Sequence, residues 1–251
     1  MKAALPPETT SRLPPPGRAA FLLDLDGTLI DIAPAPDLVV VPADLPPTLR
    51  RLRALCGDAL AVVTGRPLTQ VDQLLGDVPY AVAGEHGTAI RPAPGAAPVW
   101  VPLPDPPALW RAEAERLAAR HPGVLVESKR HGFVLHYRQA PEAGEALHAA
   151  LSALVREQAD AFHLLAAKMA WEVRPAGTDK GSAVEALMRA APFAGRLPIF
   201  IGDDVTDEDG MRAAEAVGGL GLRVPDLFGD AAGVRRWLAR LAGGNEVSWG
   251  G

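Results

Sequence analysis

Residues 19–28 read AAFLLDLDGT, an apolar run that ends in two aspartates, a glycine and a threonine. An unbroken apolar run bounded by turn residues is typical of a strand that is buried on both faces, as in a parallel sheet. Side chains two positions apart point to the same side of an extended chain, so Asp24 and Asp26 are expected to project together. Open α/β sheets bind ligands beyond the carboxyl ends of their strands. This stretch therefore predicts both the fold class and the location of a site.

The strand signal returns along the chain, separated by helical patterns. Further strands are predicted at 58–65, 80–87, 197–204 and 218–224, and helices at 45–57, 68–76, 178–189, 208–217 and 231–242. Strands that alternate with helices imply βαβ units and a parallel sheet. We therefore predict an α/β fold with a Rossmann-like parallel-sheet core.

A different order of predicted strands and helices interrupts this core. Seven prolines in residues 91–107 exclude a long helix or a central strand there. The order that follows is helix, two strands, helix, two strands, which is typical of an antiparallel sheet with helices on one face. The predicted division is a core at 18–106 and 173–243, an inserted α+β domain at 107–172, and flexible tails at 1–17 and 244–251.

Composition excludes several classes of function. The chain has 251 residues, a formal net charge of -5 and one cysteine. The acidic balance argues against a nucleic-acid partner, and a single cysteine excludes an internal disulfide and a Cys-rich zinc site. Its apolar runs are too short to span a membrane, and the first residues lack the apolar segment of a signal peptide. We therefore expect no membrane partner and a cytoplasmic location.

Acidic residues also follow the strand at 197–204, where Asp203, Asp204 and Asp207 cluster. Paired carboxylates after a strand could act as nucleophile and general acid/base or bind Mg²⁺, and each cluster alone could equally be a solvated acidic turn. Two strands that both end in carboxylates suggest a shared Mg²⁺ site, since unneutralised carboxylates repel one another. Two further segments suit a phosphate: the strand end at 64–66, with a hydroxyl and a flexible backbone, and Lys180 at a helix start.

In order, these segments resemble the motifs of the haloacid dehalogenase superfamily of phosphotransferases. The first motif, DxDxT, matches Asp24, Asp26 and Thr28; the Ser/Thr, Lys and acidic motifs match Thr64, Lys180 and the aspartates at 203, 204 and 207. The resemblance covers roughly residues 19 to 240 and implies that the inserted domain is a cap.

The resemblance also implies roles for these residues. Asp24 would attack phosphorus to form an aspartyl-phosphate, and Asp26 would protonate the leaving alcohol and then activate water. Thr64 and Lys180 would hold the phosphoryl oxygens. Mg²⁺ would be bound by Asp24, the main-chain carbonyl of Asp26 and Asp203, with Asp204 or Asp207 in support.

Other segments are similar to those of the trehalose-6-phosphate phosphatases within this superfamily. They are VTGRP at 63–67, AGEHG at 83–87, VESK at 126–129, HYR at 136–138, WEVRP at 171–175 and GDDVTDE at 202–208. The sequence departs modestly from the family pattern, with Thr64 where Ser is frequent and Thr178-Asp179 where Asn is frequent.

This likeness implies hydrolysis of trehalose 6-phosphate in trehalose biosynthesis, with a phosphorylated disaccharide as the small-molecule substrate. Substrate contacts are expected from Thr28, Gly65, Arg66, Glu85, His86, Glu127, Lys129, Arg138, Glu172 and Arg174. Glu127 and Lys129 are two positions apart, as are Glu172 and Arg174, so each pair is expected to share one face of its strand. For any single residue of these pairs, a solvent-facing charge is an equally good reading.

Two alternatives stay open at this point. The same chemistry could act on another sugar phosphate, such as sucrose 6-phosphate or mannosyl-3-phosphoglycerate, and a mutase belongs to this group. A catalytically silent sugar-phosphate-binding module is a different class, which the presence of Asp24, Asp26 and Lys180 disfavours. We expect a monomer, and leave a synthase partner open.

Overall fold

The computed structural model describes residues 13–34 and 38–243, and the chain divides into two compact units. The first unit comprises residues up to Val101 and from Asp179 onward, and the second comprises Pro102–Thr178. The predicted insert at 107–172 lies within the second unit. The observed division begins earlier, because the last part of the proline-rich stretch, from Pro102, belongs to the second unit. It also ends later, because a strand at Ala170–Pro175 pairs inside the insert's sheet.

The first unit is built on a seven-stranded sheet in the order β11-β10-β1-β2-β3-β4-β5. The strands are β1 Ala19–Leu23, β2 Leu60–Val63, β3 Ala81–Gly84, β4 Ala89–Arg91, β5 Val99–Trp100, β10 Leu197–Gly202 and β11 Leu220–Arg223. The five strands from β11 to β3 are parallel, and β4 and β5 extend the sheet in antiparallel pairing. The predicted α/β class with a mostly parallel core is confirmed.

Helices cover both faces of this sheet. Every residue of β1, β2 and β3 is buried, although successive side chains point to opposite faces. The helices of this unit are α1 Leu45–Leu55, α2 Leu68–Leu75, α5 Lys180–Met188, α6 Asp207–Ala216, α7 Val224–Leu227 and α8 Ala231–Ala242. Five of these helices begin and end within a few residues of the predicted patterns, and the short helix α7 was not predicted.

The second unit is a four-stranded antiparallel sheet in the order β6-β7-β9-β8, with two helices. Its elements are α3 Ala108–Arg120, β6 Leu125–Ser128, β7 Phe133–His136, α4 Gly144–Val155, β8 Phe162–Ala167 and β9 Ala170–Pro175. Its core combines Phe133, Leu135 and Val173 with side chains from both helices. Because Phe133 pairs with Val173 across the strands, these apolar residues share the face on which the helices pack.

Two features differ from the sequence expectation at the ends of the chain. Leu13 is buried and belongs to the core of the first unit, so the expected flexible tail at 1–17 is too long at its inner end. A short 3-10 helix at Pro16–Arg18 then leads into β1. The tail expected at 244–251 lies outside the described residues. Among the helices that are described, none has the length and apolar character needed to cross a bilayer.

The capping box of α5 offers a test of how this helix is held. Asp179 accepts from the main-chain N–H of Ser182, and the Ser182 hydroxyl accepts from the N–H of Asp179. Asp179→Ala is therefore expected to lower the free energy of unfolding by about 1 kcal/mol, measured by urea denaturation. Asp44→Ala is the matched control, because Asp44 precedes α1 without a capping bond from its side chain. Equal losses in the two variants would contradict the capping role.

Candidate active site

The predicted acids and hydroxyl converge because their strands run in parallel. Asp24 follows β1, Thr64 follows β2 and Asp203 follows β10, and β1 lies between the other two strands in the sheet. Main-chain bonds continue the pairing past the strand ends, since the N–H of Asp24 donates to Ile201 O at 2.9 Å. The carboxyl ends of parallel strands meet at one edge, as the sequence predicted.

Lys180 joins two buried aspartates at this edge. Its Nζ donates to Asp24 Oδ1 at 2.7 Å and to Asp207 Oδ1 at 2.6 Å. The relative exposure of the three side chains is 4%, 6% and 0%, respectively. Burial alone would lower the pKa of Lys180, but the charges of Asp207 and Asp24 raise it above its usual value, so the amine stays protonated.

Asp207 also organises the loop that follows β10. Its Oδ2 accepts from the main-chain N–H groups of Asp203 and Asp204, both at 3.0 Å. On the facing loop, Gly27 has φ +86°, and a Cβ there would lie 2.2 Å from Asp203 Oδ2. Only glycine lets the two loops approach this closely, and this explains the glycine in the DLDGT stretch.

Asp24, Asp203 and Asp207 form a group that could hold a metal ion, because they offer carboxylate oxygens within 4.8 Å of one another. Burial, and next the charge of Asp207, raise the pKa of Asp24 well above its usual value. If all three carboxylates were ionised, they and the Lys180 ammonium would together carry two negative charges, which a divalent cation would neutralise. Oxygen ligands suit hard cations such as Mg²⁺, so these residues fit the expected metal. Asp204 lies outside this group, and its Oδ1 accepts from the N–H of Val205.

Asp26 is held by Arg66. The Arg66 Nε and Nη2 atoms donate to the two carboxylate oxygens of Asp26 at 2.6 and 2.7 Å, and Nη1 donates to Gln70 Oε1 at 3.0 Å. This two-point pairing is the geometry in which guanidinium and carboxylate bind most strongly. Arg66, which was expected to contact substrate, thus contacts the expected acid/base residue and Gln70.

The segment Glu85–Gly87 packs against the loop that carries Thr64. The N–H of His86 donates to Thr64 O and that of Glu85 donates to Arg66 O, both at 3.0 Å. Glu85 and His86 have φ values of +47° and +55°, which non-glycine residues rarely adopt. A Cβ on Gly65 would lie 2.6 Å from His86 Nε2, so glycine is needed for the imidazole to pack there. The structure therefore brings these expected residues to the same sheet edge as Asp24.

Thr28 completes the DxDxT motif. Its side chain is fully buried, and its hydroxyl has no hydrogen-bond partner among residues 13–34 and 38–243.

The second unit has a cluster of charged and polar side chains around Glu127. Lys129 Nζ donates to Glu127 Oε1 at 2.5 Å, and His136 Nε2 lies 2.9 Å from Glu127 Oε2. Burial would raise the pKa of Glu127, but the bonds and charges of His136 and Lys129 outweigh it and lower the pKa to about 2. Glu127 is therefore a carboxylate at neutral pH.

Strand register puts Glu172 on the same face. Glu127 pairs with Val134, which pairs with Glu172, and this row lies on the side opposite the helix-packed core. Arg174 follows two positions later on that side. Its Nη1 is buried and has no hydrogen-bond partner within the described part of the chain.

Arg138 lies apart from this group. It follows the end of β7 by two residues, and its Nη2 donates to Lys168 O at 3.2 Å. Since Lys129 lies in the turn before β7, the two cations are at opposite ends of the strand.

Two residues that contact predicted site residues were not themselves predicted. Gln70 follows Arg66 by four residues and accepts from its Nη1. On the strand opposite Glu127, Val134 pairs with Glu127, and His136, two positions later, lies on the same side of the sheet. The hairpin register could therefore have indicated His136. No sequence pattern indicated that Arg66 would pair with Asp26, 40 residues away.

Comparison with known proteins gives a consistent family. The family model described as trehalose-phosphatase matches residues 22–225. The trehalose-6-phosphate phosphatase of Escherichia coli K12 is 38% identical over 234 residues, which cover 92% of this chain and 84% of the relative. A probable trehalose-phosphate phosphatase of Sinorhizobium fredii is 42% identical over 206 residues, covering 82% and 77%.

Solved structures agree on the fold. The C-terminal domain of the C. albicans trehalose-6-phosphate phosphatase has a TM-score of 0.77 at 22% identity, covering 97% of this chain and 99% of that domain. A Synechocystis sucrose-phosphatase has a TM-score of 0.53 at 16% identity, with 82% of each chain covered.

Cation binding by the acidic group can be measured by thermal melting. MgCl₂ is expected to raise the melting temperature of the wild type, and EDTA to reverse the rise, since a ligand at a hundred times its Kd stabilises by about 2.7 kcal/mol. Asp203→Asn should lose most of this shift because it removes one carboxylate ligand. Asp204→Asn is the control in the same loop and should keep the shift. A full shift in Asp203→Asn would count against the cation site.

Proposed function

This chain belongs to the trehalose-phosphatase family, and from that membership we propose that it hydrolyses trehalose 6-phosphate to trehalose and inorganic phosphate. The observation that carries the proposal is the ammonium of Lys180 between Asp24 and Asp207, beside Asp203 and Thr64 at one sheet edge. Such a group can bind a phosphate, supply a nucleophile and hold a cation together. A binding module would not need a buried nucleophile of this kind.

The proposed first step is attack of an Asp24 carboxylate oxygen on phosphorus. The oxygen–phosphorus bond forms as the bond from phosphorus to the sugar oxygen breaks, which gives an aspartyl-phosphate and the free sugar. Lys180 and the Thr64 hydroxyl would hold the phosphoryl oxygens and offset their charge. Mg²⁺ bound by Asp24, Asp203 and Asp207 would supply further neutralisation of the phosphate; in our proposal, Asp207 rather than Asp204 completes this set.

Asp26 would donate a proton to the sugar oxygen as it leaves. It would then accept a proton from the water that hydrolyses the aspartyl-phosphate. Both carboxylate oxygens of Asp26 accept hydrogen bonds from Arg66. Asp26 therefore has to exchange Arg66 for the sugar oxygen before it can deliver a proton, and Arg66 would act on the reaction through Asp26.

We propose that charged side chains of the second unit recognise the sugar. The residues assigned to sugar contact there are Glu127, Lys129, Arg138, Glu172 and Arg174. In the first unit, Glu85 and His86 are assigned to substrate contact. Sugars are selected through directional hydrogen bonds, because a buried polar group left without its partner costs binding energy. The buried Arg174 Nη1 supports this assignment, because it is a donor with no acceptor within the described part of the chain. Thr28 and Gly65 are assigned to the phosphate end.

Three expectations about the protein in the cell stay proposals. They are a monomeric state in solution, a cytoplasmic location, and a trehalose-phosphate synthase as partner.

Phosphate release from a panel of sugar phosphates tests the proposed substrate. Trehalose 6-phosphate is expected to be hydrolysed fastest, in a reaction that needs Mg²⁺ and stops with EDTA. The panel also contains sucrose 6-phosphate, glucose 6-phosphate and mannosyl-3-phosphoglycerate. Preference for another member would replace the substrate and keep the chemistry, whereas no release by folded protein would favour a binding module.

Asp24→Asn tests the nucleophile. The substitution removes the attacking charge and keeps the shape, so kcat for trehalose 6-phosphate should fall by at least about a thousandfold. Asp31→Asn is the control, because Asp31 is an exposed aspartate of the same region that pairs with Arg235 at 3.0 Å. Near wild-type turnover by a folded Asp24→Asn variant would rule out the assignment.

A further inference from the structure

The carboxylate of Glu127 is fixed at both oxygens by residues of its own hairpin. Lys129 donates to Oε1 and His136 is bonded to Oε2. The side chains of Lys129 and Glu127 are 8% and 18% exposed, so this pair is largely shielded from water. An ion pair of low exposure is screened less and is more directional than one on the surface.

The turn that carries Lys129 joins β6 to β7 and lies beyond the last paired residues of the hairpin, Ser128 and Phe133. Lys129 donates its N–H to Gly132 O at 3.1 Å, which closes the turn. The carbonyl groups of Lys129 and Arg130 are not part of the β6–β7 ladder, so a restraint on them comes from outside that ladder.

Arg111 on α3 supplies that restraint. Its Nη2 donates to Lys129 O at 2.8 Å and to Arg130 O at 2.9 Å. Its neighbour Trp110 is buried in the core of this unit and packs edge to face on Phe162, with ring centroids 5.2 Å apart. The guanidinium therefore extends from a helix position that is itself anchored.

We propose that Arg111 is a positioning residue for sugar recognition, acting through the main chain of Lys129 and Arg130, and that His136 has the same role for the carboxylate of Glu127. The inference rests on the proposed function, in which Glu127 and Lys129 bind the sugar. Neither Arg111 nor His136 needs to touch the substrate. Their effect is to present one acceptor and one donor in a fixed geometry before the sugar arrives, which lowers the entropy that binding costs.

The experiment compares two substrates in Mg²⁺-loaded full-length protein. Trehalose 6-phosphate needs the sugar contacts, whereas p-nitrophenyl phosphate needs only the phosphate end. Arg111→Met should raise KM for trehalose 6-phosphate by about tenfold, because misplaced recognition groups bind poorly, and should change kcat/KM for p-nitrophenyl phosphate by less than about twofold. Arg111→Lys should show a smaller rise, since an ammonium can still reach a carbonyl but lacks the guanidinium geometry.

The role of His136 is tested by the same comparison of the two substrates. His136→Leu should raise KM for trehalose 6-phosphate, and His136→Gln should recover part of the loss because its amide can donate to Glu127. Arg116→Met is the matched control: it removes one positive charge from the same helix, where Arg116 pairs with Glu113 instead of the turn. It should leave both substrates unchanged, and thermal melting of every variant reports folding.

The outcomes separate the inference from the function on which it rests. A wild type that hydrolyses p-nitrophenyl phosphate without preferring trehalose 6-phosphate would overturn both. A wild type with that preference, and Arg111 and His136 variants that lose activity equally on both substrates or on neither, would overturn the positioning role alone. The conservative variants keep the test valid if Arg111→Met or His136→Leu fails to fold.

Discussion

The ammonium of Lys180 between two buried carboxylates is the interaction on which the core site depends. Two unit charges 4 Å apart interact by about 4 kcal/mol at an effective dielectric constant of 20, so three carboxylates as close as Asp24, Asp203 and Asp207 would force one another apart. Breaking a buried ion pair by removing one partner costs about 3–5 kcal/mol. The lysine offsets only part of this charge, and the remaining negative charge favours the binding of a cation.

That electrostatic requirement explains the local architecture. Each charged group comes from a different chain segment: Asp24 from the end of β1, Asp203 from the loop after β10, and Lys180 from the first turn of α5. A fully buried parallel sheet fixes the first two, and the Asp179–Ser182 capping box fixes the third. Main-chain N–H groups that donate to Asp207 then hold the acidic loop against repulsion. A fold with less rigid strand ends could not keep like charges this close.

Local patterns in the sequence were sufficient for the fold and for much of this edge. The apolar run before Asp24 predicted β1, and the i, i+2 rule predicted that Glu127 and Lys129 share a face. The pairing of Asp26 with Arg66 could not be predicted, because it joins two loops that meet only when β1 and β2 pair. Arg111 could not be predicted for the same reason. Its partners are main-chain carbonyls in a turn 18 residues away, and a main-chain carbonyl is the same for every residue type. Leu13 lay in a proline-rich segment whose composition predicted a loose arm, and tertiary packing decided otherwise.

The two units hold their charged side chains in place by different means. In the core, strand ends and a helix cap hold the reactive groups, so a substitution there disturbs both charge balance and chemistry. In the insert, Glu127 is held by neighbouring side chains, and the turn beside it by a helix arginine, so its geometry can change without altering the charges of Asp24 and Lys180. If Glu127 and Lys129 bind the sugar as proposed, chemistry and sugar recognition depend on separate sets of contacts. Substitutions in the hairpin would then change which sugar is accepted while the group around Lys180 stays intact, and this separation would give a physical reason for one core chemistry to serve different sugar phosphates.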